Sequence, residues 1–355
     1  MYDLSLSKEE EKLAKDIYNS SIVIDGLGPY GVLHDLNLLK EYIDSGITAI
    51  NVTVSSFPEN FSRGIKKVAA YSRFIQEHSD TLILVKKIED IKKAKKEKKL
   101  GIIFGFQDTM PIDDDLNNLD IYYNMGVRII LLTYNAQNLV GTGCCELFYN
   151  GVTYFGRKVI ERLNELGITI DLSHCSDPTT MDGIKLSKKP VFITHASIRD
   201  ICNAYGRNKT KEQIIALAEK GGVIGITSFP ALVKRDSNTF EVIPAKLEDV
   251  LDHIEYVINL VGIDHVAFGS DLCETWVDEK RTPPESSLRW WRLLRPDVFG
   301  VGPIEYYDPQ VKGLERHSEF VNFARGLLKR GYKENEIRKF LGENIIKIFE
   351  KTWKE

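Results

Sequence analysis

The feature that most constrains the fold is a regular alternation of short apolar runs with amphipathic stretches. The runs are rich in β-branched residues, and stretches such as 154–166 and 211–220 carry apolar residues at helical spacing. Eight strands are predicted, at residues 22–25, 47–53, 101–106, 128–134, 168–173, 190–195, 222–228 and 265–270. Repeated strand-helix units without a clear linker predict an α/β fold, a (β/α)8 barrel.

The alternative is an open doubly wound sheet. Several runs, such as "GVRIILLTY" and "GGVIGITSF", are almost wholly apolar, which suits a parallel sheet covered on both faces in either fold. The open sheet predicts a glycine-rich phosphate turn after the first strand, and "DGLGPYG" matches that fingerprint poorly. We therefore favour one barrel domain over residues 1–355, with an N-terminal helix capped by Ser7 and Glu10.

Composition limits the classes of binding partner and the cellular compartment that we expect for this chain. The formal net charge of -4 gives no reason to expect nucleic acid or an anionic membrane as a partner. Five cysteines without zinc-finger spacing indicate a reduced chain, and no apolar run approaches the length of a membrane span, so we expect a cytoplasmic protein. The basic stretch "KKIEDIKKAKKEKKLG" has helically spaced apolar residues and is interpreted as a surface helix rather than a nucleic-acid site.

A long segment, about residues 272–312, follows the last predicted strand. It is rich in aromatic residues and prolines, including Trp276, Trp290 and Trp291. In a barrel this segment lies beside the active site, and we interpret it as a lid or a subunit contact. The alternative is ordinary packing of a large loop.

Two histidines occupy matching positions at strand ends. His174 in "ITIDLSHCSD" and His195 in "KPVFITHASI" each follow an apolar run, and they are 21 residues apart, about one strand-helix unit. The carboxyl ends of consecutive barrel strands face one crater, where neutral imidazoles are good zinc ligands. The alternative is that each histidine only hydrogen-bonds its own strand end.

Two charged residues belong to the same predicted crater. Asp271 in "HVAFGSDLCE" ends the last strand, where a carboxylate can bind a metal or accept a proton from water. Arg207 in "AYGRNKT" follows the His195 strand, and its guanidinium can hold a substrate carboxylate in two bonds. The alternative for Arg207 is a role in stabilising its loop.

Several segments together resemble the membrane (renal) dipeptidase family, the M19 metallopeptidases of the amidohydrolase superfamily. They include "GITIDLSHCSDPT", "KPVFITHASIRDICNAYGRN", "GGVIGIT" and "HIEYVINLVGIDHVAFGSDL", and the resemblance covers roughly residues 20–350, with residues 168–226 its most specific part. It implies a metal-dependent hydrolase barrel, usually a homodimer, with two zinc ions and a dipeptide substrate. It also implies zinc binding by His174 and His195, proton acceptance by Asp271 and carboxylate binding by Arg207.

Four positions depart from the family pattern. Leu27 and Pro29 stand where the family has a His-x-Asp motif, Gln107 aligns with the bridging glutamate, and Tyr134 replaces a histidine that helps bind the reacting carbonyl. Two nearby dications need an anionic bridge, and Gln107 is neutral. We therefore predict that the two-zinc site is absent.

One divalent ion or none is expected instead. His174 and His195 are its predicted ligands, with water and with Asp271 or Gln107 completing the set. Asp25 matches the family's own Asp-Gly start and is no obvious replacement ligand. Together with Asp25, the residues Asp108, Cys144 and Glu146 are candidates for rebuilding a site in another way, and either Cys144 or its neighbour Cys145 can turn toward it.

The loop "YNAQNLVGTG" supplies hydrogen-bonding groups to the crater. The Tyr134 hydroxyl can donate to a developing oxyanion as a histidine can. Asn135, Gln137 and Asn138 form an amide-rich stretch that predicts a polar substrate pocket. The alternative is that these amides only hydrogen-bond within the loop.

Two functions follow from these observations. The first is a divergent metallohydrolase that cleaves a small peptide or amide, with Asp271 and Tyr134 as catalytic residues and Arg207 as the substrate anchor. The second is a metal-free barrel that acts as a small-molecule binding protein or as an enzyme of another reaction class. The retained histidines favour the first function, and the four departures favour the second.

Overall fold

Eight parallel strands form a nearly closed barrel in the computed structural model, which describes residues 2–28, 36–272, 291, 293–301 and 310–354. Their order around the barrel is β1-β2-β4-β5-β6-β7-β8-β9. The predicted (β/α)8 barrel is confirmed. The strands on this path are β1 Ile24–Gly28, β2 Ala49–Ser55, β4 Leu100–Phe106, β5 Val127–Leu131, β6 Thr169–Asp171, β7 Phe192–Ala196, β8 Val223–Ile226 and β9 Val266–Phe268.

One further strand, β3 at Leu82–Leu84, was not predicted. It pairs in parallel with β4 and lies off the barrel path. Its three residues are too few to show a period, and only Leu82 is fully buried. The sequence pattern therefore misses it.

Helices separate most of the strands, as the amphipathic stretches predict. The α-helices are α1 Lys8–Ser20, α2 Leu36–Asp44, α3 Phe61–Glu77, α4 Ile88–Glu97, α5 Asn117–Met125, α6 Tyr154–Leu166, α7 Asp177–Leu186, α8 Lys211–Glu219, α9 Pro230–Val233, α10 Leu247–Val261, α11 Pro296–Phe299, α12 Val321–Lys329, α13 Glu334–Arg338 and α14 Asn344–Thr352. Short 3-10 turns lie at Met110–Ile112, Ile263–His265 and His317–Glu319, and a π-helical segment lies at Lys339–Glu343. Helix α1 begins with the predicted capping box of Ser7 and Glu10.

Helix α14 packs against the amino-terminal part of the barrel. Its apolar side chains Ile345, Ile348 and Phe349 belong to one buried cluster with strand residues that include Ile24 and Ile129. The Thr352 hydroxyl lies 2.7 Å from that of Thr169, the first residue of β6. Helix α14 thus covers the amino-terminal end of the barrel. The loops that follow the strands lie at the opposite, carboxyl-terminal end.

Two boundaries differ from the prediction. Strand β5 ends at Leu131, so Tyr134 lies in the following loop and not within the strand predicted over 128–134. His195 lies inside β7, one residue before its end, rather than past it. Both residues stay at the carboxyl side of the sheet, so their predicted placement near the crater is unaffected.

The first and last strands are joined by a buried carboxylate. Asp25 accepts hydrogen bonds from the Ser270 amide at 2.8 Å and the Ser270 hydroxyl at 2.6 Å, and the Asp271 amide donates to the Leu27 carbonyl at 3.0 Å. Gly269 permits the close packing of this region, because a Cβ there would lie 1.9 Å from the Thr194 carbonyl oxygen of β7 and 3.2 Å from the Leu27 amide nitrogen of β1. Asp25 therefore closes the barrel and is not available as a metal ligand.

Replacing Asp25 with Ala is expected to lower the free energy of unfolding by about 2–4 kcal/mol, because Ser270 would lose buried acceptors. The change is measured as the midpoint of urea unfolding. Asp16→Ala, an exposed position on α1, is the control and is expected to leave the midpoint unchanged. An equal midpoint for both variants contradicts the closing role of Asp25.

The basic stretch, the cysteines, the absence of a membrane span and the long segment after the last strand were also subjects of prediction. The basic stretch forms α4, with Ile91 and Ala94 buried as expected of a surface helix. Of the five cysteines, the four within the described ranges are free thiols. No helix in the described part of the chain is both long enough and apolar enough to cross a membrane. Pro29, Trp276, Trp290 and most of the 272–312 segment lie outside the described residues.

Candidate active site

The predicted site residues lie at one end of the barrel. Gln107 directly follows β4, Tyr134 follows β5, His174 follows β6, His195 is in β7 and Asp271 follows β9. Because the carboxyl ends of parallel barrel strands share one rim, these side chains approach one crater from separate strands. Contacts between several of them define the centre of the site.

The two histidines are in direct contact. Their Nε2 atoms are 2.9 Å apart, and both rings are buried. Burial lowers the pKa of each imidazole well below its ordinary value, and the nearby charges of Arg207 and Lys209 lower it further. Both rings are therefore neutral at neutral pH, the form in which histidine binds metals or accepts protons.

Each imidazole is held through its Nδ1 atom. The Nδ1 of His174 lies 2.7 Å from the Asn135 amide oxygen, and the Nδ1 of His195 lies 2.7 Å from the Thr194 hydroxyl. Thr194 also donates to the Asp171 carboxylate at 2.7 Å. Such partners fix the orientation of an imidazole and leave its Nε2 directed into the site.

Asp171 and Thr194 were missed by the sequence reasoning. Asp171 also accepts hydrogen bonds from the Ser173 hydroxyl and from the Thr194 amide, so it ties the end of β6 to β7 beneath the histidines. The available signal was a carboxylate at the end of a β-rich run, "ITID". A buried charge without a partner is costly, so an aspartate there indicates an organised polar cluster.

Arg207 lies against both histidines. Its side chain is 1% exposed, Nη1 donates to the carbonyls of Ser173 (3.1 Å) and His195 (2.7 Å), and Nη2 donates to His174 Nε2 at 3.2 Å. Its Nε has no hydrogen-bond partner among the described residues. The guanidinium is thus part of the site, with one edge only partly used.

Asp271 has the properties of a proton acceptor. Burial raises the pKa of its carboxyl to about 7, Arg207 opposes that rise, and the charge of Asp25 adds to it. Its backbone is in the left-handed region, with φ of 51°, which is uncommon for a residue other than glycine. Such backbone strain often accompanies functional positions.

Tyr134 packs on one member of the histidine pair, His174. Its ring stacks on that of His174 with centroids 4.3 Å apart and an interplanar angle of 27°. Burial and the charge of Asp271 raise the pKa of the phenol, so the hydroxyl keeps its proton and can act as a hydrogen-bond donor. The backbone amide of Tyr134 donates to Asp108 at 2.6 Å.

The three amides of the predicted pocket do not all lie together, because Asn135 is separated from the cavity that Gln137 and Asn138 line. Asn135 is buried against His174, as described above. Asn138 is engaged within the loop, where its amide nitrogen donates to Asp108 (2.9 Å) and Thr109 (3.0 Å) and its oxygen accepts from the backbone. Gln137 is exposed and lines a cavity of about 640 Å³. The other residues lining that cavity are Phe57, Thr109, Met110, Asp113, Asp114, Asn138, Leu139 and Val140.

The candidate replacement ligands are used in other contacts. Asp108 accepts bonds from the Tyr134 and Met110 amides, and burial raises the pKa of its carboxyl to about 6. Glu146 accepts from the Gln137 amide at 2.7 Å. The sulfur atoms of Cys144 and Cys145 lie 4.0 Å apart, and both thiols are buried. These residues shape the loop after β5.

The described residues do not fit a two-zinc site. Leu27 is apolar and 1% exposed, and the Gln107 amide nitrogen donates to the Thr53 hydroxyl at 2.6 Å. Within the described ranges, no group of three His, Cys, Asp or Glu side chains is placed to hold a metal ion. His174 and His195 together offer the nitrogen atoms for one ion, and their Nδ1 partners are those expected of metal-binding imidazoles.

A parallel barrel with imidazoles and a carboxylate at its carboxyl end is the architecture of an amidohydrolase. The chain belongs to the membrane dipeptidase family (peptidase family M19), whose family model matches residues 34–279. This agrees with the resemblance carried by the sequence motifs.

Curated relatives and solved structures support this assignment. The chain is 24% identical over 285 residues to dipeptidase tcpJ of Claviceps purpurea, and 25% identical over 294 residues to the uncharacterized dipeptidase C965.12 of Schizosaccharomyces pombe. The matches cover 80% and 81% of this chain but 58% and 62% of those proteins. An amidohydrolase structure from Pseudomonas aeruginosa is 32% identical with a TM-score of 0.82, over 96% of this chain and 99% of that one.

Proposed function

We propose that this protein is a divergent dipeptidase-like hydrolase that cleaves a small peptide or a related amide. The observation that carries the proposal is the buried contact of His174, His195 and Arg207 at the carboxyl end of the barrel. Membership of a dipeptidase family supports it.

The proposed roles follow from the chemistry of each group. Arg207 anchors the carboxylate of the substrate through the edge that carries its unpartnered Nε. Asp271, with a pKa near 7, accepts the proton of the attacking water. The Tyr134 hydroxyl donates to the oxyanion that forms at the scissile carbonyl. Gln137 contacts the rest of the substrate from the rim, whereas Asn135 and Asn138 support the site from within the loop.

The proposed metal content is one divalent ion or none. His174 and His195 would hold the ion, and a Gln107 or Asp271 oxygen would complete its ligands. Such an ion, zinc in the first instance, supplies a Lewis acid and lowers the pKa of bound water. The placement of Leu27 and Gln107 supports a count below two.

The experiment is a cleavage panel of dipeptides and N-acyl amino acids. The protein is stripped of metal, tested, and tested again after addition of zinc or manganese, with free amino acids detected by mass spectrometry. We expect cleavage of at least one substrate class. If nothing in the panel is cleaved in any metal state, the hydrolase proposal fails and the metal-free binding function gains support.

Three wider features are proposals as well. The chain is proposed to be a single barrel domain over residues 1–355, a homodimer in solution and a cytoplasmic protein. The reduced thiols support the compartment. Light scattering of the purified protein tests the dimer.

A further inference from the structure

The lone pair on Nε2 of His174 already accepts a hydrogen bond from Arg207. A guanidinium carries donors only, so the Arg207 Nη2 contact at 3.2 Å makes His174 Nε2 a hydrogen-bond acceptor. The ring proton of His174 is then on Nδ1, where the Asn135 oxygen accepts it at 2.7 Å. The hydrogen-bond pattern on both sides of the ring is consistent with this tautomer.

A divalent ion on His174 needs the same electron pair. Metal ions bind neutral imidazole through an unprotonated ring nitrogen, and one lone pair cannot serve both an N–H donor and a metal. A guanidinium at that position also repels a dication. The Arg207 contact and an ion at His174 therefore exclude one another.

The edge of the Arg207 guanidinium that carries Nε indicates how the contact with His174 is weakened. Nε and Nη2 lie along one edge of the planar guanidinium, the edge that binds a carboxylate in two parallel bonds. Here Nη2 donates one N–H to His174, while Nε is buried without a partner among the described residues. A carboxylate on this edge satisfies Nε, competes with His174 for Nη2 and neutralises the guanidinium charge that repels a dication at His174.

We infer that Arg207 gates the metal position: its guanidinium blocks a divalent ion at His174 until a ligand carboxylate takes its Nε–Nη2 edge. Ion binding and carboxylate binding are then coupled, and each tightens the other by the same factor. The role of the carboxylate rests on the proposed function of Arg207, whereas the block itself rests only on the contact with His174.

The test is a Co²⁺ titration of the stripped protein, followed by visible absorption. Arg207→Gln removes the charge and is expected to lower the Kd for Co²⁺ at least tenfold. Arg199→Gln is the matched control, because Arg199 lies in the same loop but pairs with Asp177, and its Kd is expected to equal that of the unmodified protein. An unchanged or weaker Kd in Arg207→Gln, or no Co²⁺ binding by any variant, overturns the inference.

A second measurement uses the unmodified protein and is valid even if Arg207→Gln does not fold. N-acetylglycine is added as a carboxylate probe during the Co²⁺ titration. We expect it to lower the Kd for Co²⁺ in the unmodified protein and to have no effect in Arg207→Gln. No change, or weaker binding, in the unmodified protein overturns the coupling. Neither readout requires turnover, so a failed cleavage panel and a failed titration are distinguishable.

Discussion

Replacing His195 with Ala is expected to lower kcat/KM for the best substrate in the cleavage panel at least about a thousandfold, or about 4 kcal/mol of transition-state stabilisation. The imidazole contacts His174 Nε2 directly, and its own Nδ1 is held by Thr194. Its loss removes one of two convergent nitrogens and leaves a polar cavity beneath the reacting groups. Steady-state kinetics with the same substrate measures the effect.

His265→Ala is the matched control for this substitution. His265 precedes β9, at the opposite end of the barrel, and its Nδ1 bonds the Gly222 carbonyl at 2.8 Å. We expect kcat/KM of this variant within about threefold of the unmodified protein, since nothing at the reacting end changes. Circular dichroism establishes that both variants fold. If the His195→Ala protein folds and keeps nearly full activity, the histidine pair takes no part in the reaction.

Asp271→Asn is expected to have opposite effects on activity and on stability. As a general base, Asp271 contributes about 10²–10⁴-fold to the rate, and that contribution disappears with the carboxylate. In the unmodified protein, kcat/KM is expected to fall as the pH drops below the Asp271 pKa of about 7. The variant is expected to lack this acid limb, which a pH profile of kcat/KM measures.

The stability effect of the same variant follows from proton linkage. The Asp271 pKa is about 7 in the folded chain and about 3.9 in an unfolded one. Between these two pH values the folded state therefore binds more protons than the unfolded state. The contribution of the Asp271 carboxyl to stability is fully present below about pH 4 and is lost as the pH rises through 7. Asparagine cannot ionise, and Asp271→Asn is expected to be more stable than the unmodified protein at pH 8 and equal to it at pH 4.

Urea midpoints at pH 4 and pH 8 measure this difference, with Asp264→Asn as the contrasting variant. Lys339 and Lys347 lower the pKa of Asp264 against the effect of burial, so its stabilising contribution is present at high pH. We expect Asp264→Asn to show no gain at pH 8. If Asp271→Asn shows none either, then Asp271 is not held in a destabilising charged form.

The proximity of the two histidines was predictable from the sequence, because the order of the strands and the common rim of a parallel barrel decide where strand-end residues lie. His174 and His195 lie on consecutive strands, and the rim leaves them little freedom. Strand β3 was not predictable in this way, since three residues carry no period. The end of β5 was predicted too late because the apolar run continues past Leu131, the last residue that pairs with β6.

The partners of the histidines were not predictable from spacing. Asn135 and His174 are 39 residues apart, and their contact depends on the path of the loop after β5. Asn135 contacts His174, whereas Gln137 and Asn138 line one cavity beside it, a separation that their adjacency in sequence does not indicate. Likewise, Arg207 was predicted as a carboxylate anchor from its residue type, but its contact with His174 is decided by tertiary packing.

The bond between Asp25 and Ser270 also constrains how the protein is made. The two residues are 245 positions apart, so at the usual speed of translation the partner of Asp25 leaves the ribosome on the order of ten to fifty seconds later. During that interval the growing chain has an open sheet with an unpaired edge at β1, a template for wrong pairing. Closure of the barrel by this bond is thus a late step, and the edge of β1 has no partner from β9 until then.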